Sequence, residues 1–330
     1  MTDTTTATEP EARPAPARAT GTLRGLRALA LGLTALALGL TATAATTAPA
    51  AAGALVLSGS SFTGDERAEL VKKEGGSFRV WENSDGQNRR WPWYGEIAVH
   101  GSGWSAVDPT TVYFADLDGD RYKDLVQLDG DSFRVWYHNN AVNLGDNPWT
   151  GQPFRTGGGW AGHNPSAIWF ADIDGDGRAD LIDRNGDQLR YFPNLGGGAS
   201  WGAAVTIGYG YGGTDPRAIW FADLNGDLRA ERIEQYGDGF QVGPNTTGGA
   251  GGWPWGTAYF TGAGWSGQAP SGIWFADITG DNRADLVQKN GDALRYFPNN
   301  GSGHDHTSWS AAVGAGNGWS GVDPKGVYFA

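Results

Sequence analysis

The stretch FADIDGDGRADL, residues 170–181, sets four carboxylates, Asp172, Asp174, Asp176 and Asp180, within nine residues. Carboxylates this close repel one another in water, so the crowding needs either a positive partner or a disordered segment. The apolar runs Ile168-Trp169-Phe170 before it and Leu181-Ile182 after it argue for order. With Asp172 as position 1, the acids fall at positions 1, 3, 5 and 9, and Gly175 and Gly177 relax the turn between them. Such a loop can converge on one hard cation through oxygen. Calcium takes about six to eight oxygen ligands in irregular geometry, whereas magnesium prefers a strict octahedron, so calcium is favoured. Asp172, Asp174, Asp176 and Gly177 match the start of an EF-hand loop, but position 12 is Asp183 instead of Glu and both flanks read as strands.

The phrase recurs along the chain. Residues 113–125 read YFADLDGDRYKDL, 220–232 WFADLNGDLRAER, 274–286 WFADITGDNRADL, and 61–70 SFTGDERAEL. The loops open at Ser61, Asp116, Asp172, Asp223 and Asp277, in steps of 55, 56, 51 and 54 residues. A Trp or Tyr stands 12 residues before four of these openings (Trp104, Trp160, Tyr211, Trp265), and Trp319 has the same phrase near the C-terminus. An apolar residue follows each opening by 17: Phe78, Phe133, Leu189, Phe240 and Leu294. Offsets held over such distances mean one structural unit copied five times.

Each unit reads as strands. VYFA or IWFA is a short β-branched and aromatic strand, DLVQ or DLID follows the acidic loop, and a DGD or NGD turn leads into FRVWY or LRYFPN. A fourth strand is expected around Trp93, Trp149, Trp201, Trp255 and Trp309. Four short strands per repeat describe a propeller blade, and no segment after residue 53 has helical periodicity. The expected fold is an all-β, five-bladed propeller over residues 53–330. From Ser61 to Ala330 there are 270 residues, five times 54, and the final VYFA supplies the strand that the first unit lacks. The C-terminal strand is therefore expected to complete the first blade and close the ring, the alternative being a piece of a larger ring.

FADIDGDGRADL and FADLDGDRYKDL resemble the FG-GAP or VCBS repeat of integrin alpha-chain propellers, mushroom propeller lectins and many exported bacterial proteins. The resemblance covers residues 61–330. It implies calcium held by the loop residues, which agrees with the spacing. The ligand sets are then Asp116, Asp118, Asp120 and Asp124; Asp172, Asp174, Asp176 and Asp180; Asp223, Asn225, Asp227 and Glu231; and Asp277, Thr279, Asp281 and Asp285. About four calcium ions are expected. Charge count ranks the loops in that order of affinity, and the first loop, with Ser61, Thr63, Asp65 and Glu69, is expected to bind weakly or not at all. Position 7 (Tyr122, Arg178, Arg229, Arg283) contributes its backbone carbonyl.

Four of the 24 basic and three of the 36 acidic residues precede residue 53, which leaves the repeat region at a formal −13. Nucleic acid and anionic membranes are thereby poor partners. With no cysteine there is no disulfide. Residues 1–52 read as a secretory signal: Arg24 and Arg27, then ALALGLTALALGLTATA, then a small-residue site at Ala48-Pro49-Ala50. The expected address is outside the cell after cleavage, with an uncleaved membrane anchor as the alternative.

The chain has 16 tryptophans. Trp104, Trp160, Tyr211, Trp265 and Trp319 are candidates for stacking on sugar rings, as mushroom lectins of this resemblance bind sugars between blades, or for packing blade on blade. GGGWAG, GYGYGG, GAGWSG and GNGWSG match a dinucleotide fingerprint, yet no helix follows them. His100, His138, His163, His304 and His306 occupy no repeated position, there is no nucleophile elbow, and His304-Asp305-His306 reads as a solvated triplet. These features favour a monomeric, non-catalytic module that binds an extracellular glycan. The alternatives are a cell-surface protein ligand, as in integrin propellers, and, less favoured, a polysaccharide lyase or hydrolase.

Overall fold

The β-branched and aromatic run before each acidic loop forms the innermost strand of a four-stranded antiparallel sheet. A computed structural model of the chain describes residues 61–84, 92–140, 148–149, 151–246, 253–301 and 309–330. Residues 1–52, read above as a secretory signal, and the His304-Asp305-His306 triplet lie outside them. Blade 2 comprises Val112–Ala115, Asp124–Asp129, Ser132–Trp136 and Phe154–Thr156. Blade 3 comprises Ile168–Ala171, Asp180–Asn185, Gln188–Phe192 and Val205–Tyr209. Blade 4 has Ile219–Ala222, Glu231–Tyr236, Gly239–Gly243 and Tyr259–Thr261, and blade 5 has Ile273–Ala276, Asp285–Asn290, Ala293–Phe297 and Val313–Asn317.

Blade 1 is assembled from both ends of the repeat region. Leu70–Glu74, Ser77–Asn83 and Trp93–His100 take Val327–Phe329 as their inner strand, in the register Leu70↔Phe329, Val71↔Tyr328 and Lys72↔Val327. Glu69 N donates to Ala330 O at 2.7 Å and Ala330 N to Glu69 O at 3.0 Å. Ring closure by the C-terminal strand is thus as the sequence predicts.

One backbone bond ties each loop to the next. The amides of Ala179, Ala230, Ala284 and Ala68 donate to the carbonyls of Asp116, Asp172, Asp223 and Asp277, each at 2.7 Å, and Lys123 N reaches Ser61 O at 3.2 Å. Both faces of each blade's second strand are covered by its neighbours, so Asp180–Asn185 buries its first four residues without the alternation of a half-exposed sheet. The apolar landmarks Phe78, Phe133, Leu189, Phe240 and Leu294 are all at 1% exposure or less. Phe133, for example, sits tilted against Trp160 and edge-on to Phe170, with centroids 5.2 and 5.5 Å away. Burying such a side chain stabilises by about 1.5–3 kcal/mol.

Two expectations are corrected. Outside blade 1 the tryptophan segments are not the outer strands. Trp255 and Trp309 make single bridges to Asn245 and Asn299, and Trp201 closes a small extra hairpin, Asn194–Gly196 with Ser200–Trp201. Three of these indoles are anchored by their N–H instead: Trp149 Nε1 donates to Lys123 O at 3.1 Å, Trp201 Nε1 to Thr156 Oγ1 at 3.0 Å and Trp255 Nε1 to Ile207 O at 2.5 Å. The helical content is also not nil, since a 3-10 turn precedes each inner strand, at Pro109–Thr111, Pro165–Ala167, Pro216–Ala218, Pro270–Gly272 and Pro324–Gly326. Asp108, Asn164, Asp215 and Asp323 cap four of them. Three residues are too few to leave a periodic signal.

Candidate metal loops and an inter-blade pocket

Two left-handed residues bend each acidic loop. Position 4 is glycine in all five, and position 6 is Glu66, Arg121, Gly177, Leu228 or Asn282, at φ of 71°, 76°, 85°, 78° and 64°. A non-glycine residue there costs about 1–2 kcal/mol, so loop 3, with Gly177, is the least strained.

The bend turns the loop amides inward, and the carboxylates accept them. Asp172 Oδ1 and Oδ2 take the N–H of Gly175 and Gly177 at 2.6 and 2.8 Å, Asp174 takes that of Asp176 at 3.2 Å, and Asp176 that of Arg178 at 3.0 Å. The position 9 acid is a brace. Asp180, fully buried, accepts Ile173 N at 3.0 Å with one oxygen and Asn194 N at 2.8 Å with the other. Asp124 and Asp285 repeat both bonds, as does Glu231 on its longer stem.

Sequence offsets alone did not single out a further ring, 22 residues after each opening: Asn83, His138, Asn194, Asn245 and Asn299. Asn194 Nδ2 donates to Leu117 O of the preceding blade at 2.8 Å and to Ala179 O at 3.0 Å; Asn83, Asn245 and Asn299 do the same in their places. The recurring Asn at a fixed offset was the available signal. The position 7 side chain, expected to be passive, also crosses to the preceding blade. Arg178, Arg229, Arg283, Arg67 and Tyr122 lie over the position 4 glycines Gly119, Gly175, Gly226, Gly280 and Gly64, and at all but Gly226 a Cβ would clash or crowd. Four guanidinium groups therefore offset part of the loop charge.

Much of it is left. In each of the triads Asp116-Asp118-Asp120 and Asp172-Asp174-Asp176, one carboxylate oxygen per residue lies within 4.8 Å of the others, a spacing that one cation could bridge. Burial is the leading cause that pushes Asp172 and Asp180 up to about 7, Asp124 and Glu231 to about 8, and Asp120 and Asp277 to about 6. Loops 4 and 5 are poorer in charge. Asn225 Nδ2 donates to Glu231 Oε1 at 3.0 Å, whereas Thr279 Oγ1 is buried with no hydrogen-bond partner. An orphaned hydroxyl at position 3 of loop 5, and the converging oxygens of loops 2 and 3, fit the donor chemistry of a hard cation.

The aromatic candidates are mostly core. Trp104, Trp160, Tyr211 and Trp265 are at 8, 6, 5 and 6% exposure, and Trp319 is half-buried. Trp104, Trp160 and Trp265 pack on Phe78, Phe133 and Phe240 at 5.0, 5.2 and 5.3 Å, which removes them as free stacking platforms. Above all but Trp104, a turn acid absent from the sequence-based site clasps the Gly-rich loop. Asp238 accepts from Gly264 N at 2.9 Å and Ser266 N at 3.1 Å, and Asp131, Asp187 and Asp292 act alike. Those bonds hold Asp131, Asp238 and Asp292 below the usual carboxylate value.

Trp160 nevertheless lines one wall of a pocket of about 310 Å³ between blades 2 and 3, with Gly158, His163, Asn185, Arg190 and Phe192. Arg190 is locked in place: its Nε and Nη2 donate to buried Asp183 at 3.0 and 2.5 Å, and its guanidinium lies 5.6 Å from the Phe192 centroid. Blade 5 repeats the set. Arg295 donates to Gln288 Oε1 at 2.7 Å over Phe297, whose ring is 5.3 Å from Trp265, and Asn290 stands in the place of Asn185.

Residues 116–183 match the family model of the FG-GAP-like repeat. No curated protein matches the chain. Among solved structures, the chain is similar to part of a Photorhabdus luminescens Tc holotoxin pore, at 20% identity and a TM-score of 0.46, over 71% of this chain and 10% of that one. It is also similar to an Agrocybe aegerita lectin that recognises non-reducing terminal N-acetylglucosamine, at 18% identity and a TM-score of 0.47, over 80% of this chain and 68% of the lectin. The chain thus spans a tenth of the toxin chain and about two-thirds of the lectin.

Proposed function

From a five-bladed ring carrying FG-GAP-like repeats, we propose an exported, calcium-loaded binding module that holds a glycan between blades and does not turn it over. The observation that carries the reading is the pocket at Trp160, Asn185, Arg190 and Phe192. A sugar ring presents an apolar face and a rim of hydroxyls, and a site for it needs aromatic carbon beside planar, pre-oriented donors and acceptors. Arg190 arrives already oriented by Asp183. Because blade 5 repeats the set, two sites of this kind are expected instead of five, and a surface dense in glycan would engage both at once.

Calcium would be held by the carboxylates of loops 2 and 3 first, then by Asp223, Asp227 and Glu231 of loop 4 and by Asp277, Thr279, Asp281 and Asp285 of loop 5. Bound there it would neutralise charge at the corners between strands. It is assigned no part in sugar contact.

A glycan array on the purified chain, with and without chelator, tests the reading. Binding should appear for at least one glycan class and fall about tenfold, or about 1.4 kcal/mol, in Asn185→Ala and in Arg190→Lys, which keeps the pairing with Asp183 but loses the fork. A protein ligand is the second reading. It is favoured by two exposed aromatic pairs, Tyr209 with Trp253 (60 and 51% exposed) and Tyr236 with Phe260 (61 and 42%). An array blank for every glycan, together with capture of a cell-surface protein that is lost in Tyr209→Ser and Trp253→Ser, would move the assignment there.

A further inference from the structure

Four blades carry an arginine 18 residues after the loop opening: Arg79, Arg134, Arg190 and Arg295. In three of them an acid answers it. Arg79 meets Glu74, Arg134 meets Asp129 at 2.7 Å, and Arg190 meets buried Asp183 at 2.5 Å. Those acids stand either 11 or 13 residues after the opening, and in blade 5 both places hold amides, Gln288 and Asn290. Among the described residues, Arg295 alone of the four has no acid within salt-bridge reach. The pair in blade 3 cancels, whereas the same place between blades 4 and 5 keeps a whole positive charge.

Its neighbours leave that charge open. Buried Gln288 accepts Arg295 Nε on Oε1 at 2.7 Å and spends its own Nε2 on Gln268 Oε1 at 3.0 Å. Arg295 Nη1 and Nη2 and Gln268 Nε2 are then without partners among the described residues, and all three are donors. The guanidinium lies 5.5 Å from the Phe297 centroid, and Phe297 lies 5.3 Å from Trp265.

The acidic loops do not crowd this place. Each joins a blade's first strand to its second, whereas Asn290 sits at the turn from second to third, at the opposite end of the sheet. Of the turn acids at that end, Asp238 and Asp292 have their oxygens on the amides of Gly264, Ser266, Gly318 and Ser320. The negative charge of the whole chain acts at longer range, and salt at about 0.1 M screens it beyond about 10 Å. Aromatic carbon beside a permanent planar cation, with donors only, selects a planar anion that accepts bidentately.

Building on the inter-blade glycan reading, we propose that the blade 5 site selects the uronate residues of an acidic glycan, with the carboxylate on Arg295 and the sugar ring beside Trp265 and Phe297. The blade 3 pocket takes a neutral sugar, because Asp183 already holds the fork of Arg190.

Titration calorimetry of the full chain with methyl glucuronide and methyl galacturonide, against their uncharged carboxamides, tests this. The uronides should bind at least about tenfold more tightly than the amides; tenfold corresponds to about 1.4 kcal/mol. Gln288→Asp, which copies the acid of blade 3, should pair Arg295 and erase that advantage, and Arg295→Gln should erase it too. Urea unfolding of both variants checks that the ring is intact. Should both be destabilised, the Arg295 guanidinium resonances of the unaltered protein decide in their place: the uronides should shift them and the amides should not. Uronides bound no better than amides, or an advantage that survives in the folded variants, would overturn the proposal. Neutral sugars bound without any uronide advantage would leave the inter-blade glycan reading standing, whereas a chain that binds no sugar, charged or neutral, loses both.

Discussion

Blade 1 and blade 3 run the same backbone with different side chains, and the contrast separates residues that build the loop from residues the loop does not need. In blade 3, Asp172 accepts the amides of positions 4 and 6 with its two oxygens. In blade 1, Ser61 Oγ accepts both, from Gly64 at 3.0 Å and Glu66 at 3.2 Å, and the left-handed bend is kept. Position 9 tolerates no such economy: Glu69 is fully buried and bonds the amide of Phe62 at 2.8 Å, as Asp180 bonds that of Ile173. The brace belongs to the fold. The acids at positions 1, 3 and 5 exceed what the loop's hydrogen bonding requires, and their mutual repulsion is the chief reason to assign them a cation.

The widest split between the two blades comes from closure. Removing residues 327–330 takes the inner strand from blade 1 alone, with buried Val327 and Ala330 and the two bonds to Glu69. Burial and hydrogen bonding together put the loss at roughly 5 kcal/mol or more. Urea unfolding should show a lowered midpoint, and an unchanged midpoint would mean the ring does not depend on that strand.

Next come the braces. Glu69→Ala and Asp180→Ala each strand buried amides, at about 1–3 kcal/mol per unsatisfied group. The two variants should be destabilised alike in chelator, although only one of them lies in a loop rich in acids. A large difference between them under those conditions would erase the distinction between brace and ligand.

Metal addition should then divide the blades. Calcium at a hundredfold excess over its dissociation constant stabilises by about 2.7 kcal/mol per site. The triple change Asp172→Ser, Asp174→Asn and Asp176→Asn, which takes the carboxylates at positions 1, 3 and 5 out of loop 3, should remove one ion from the stoichiometry and raise stability in chelator by relieving repulsion. Equal calcium uptake by the triple variant and the unaltered chain would sink the calcium assignment.

The smallest effect is a gain. Blade 1 has Gly76 where the other blades place their clasping acid, and a Cβ there would stand 3.8 Å from Gly103 N and 3.9 Å from Ser105 N. Gly76→Asp should supply the missing clasp, for about 0.5–1 kcal/mol including the loss of glycine freedom in the unfolded chain. The sign with pH follows from the clasps already present, whose carboxyls are held low by backbone amides. Their contribution is full above the unfolded value of about 3.9 and is lost as pH falls through the folded one. The gain from Gly76→Asp should therefore vanish in thermal melts as the pH is lowered through that window.

The repeat made much of this legible. Offsets of 1, 3, 5 and 9 gave the loops, the offset of 17 gave the core, and the orphan VYFA gave the closure, because each concerns a residue's place in its own unit. What stayed hidden concerns partners in the neighbouring unit. Asn194 reaches Leu117 and Arg229 covers Gly175, and nothing in the spacing of one repeat says which atoms of another will face it. The aromatic candidates were left undivided between packing and ligand for a related reason. A large ring at a blade junction is as useful for packing as for ligand, and burial, which decides between them, is a property of the assembled ring.

The pairing of Leu70–Glu74 with Val327–Phe329 also sets a schedule for synthesis. The earliest blade to emerge from the ribosome is the last to be finished, since the strand that completes it follows all the other blades in the chain. Until then its inner edge offers unpaired amides and carbonyls to any passing strand, a hazard in crowded surroundings. A chaperone that holds the growing chain open, or export before folding, would protect that edge until the completing strand arrives.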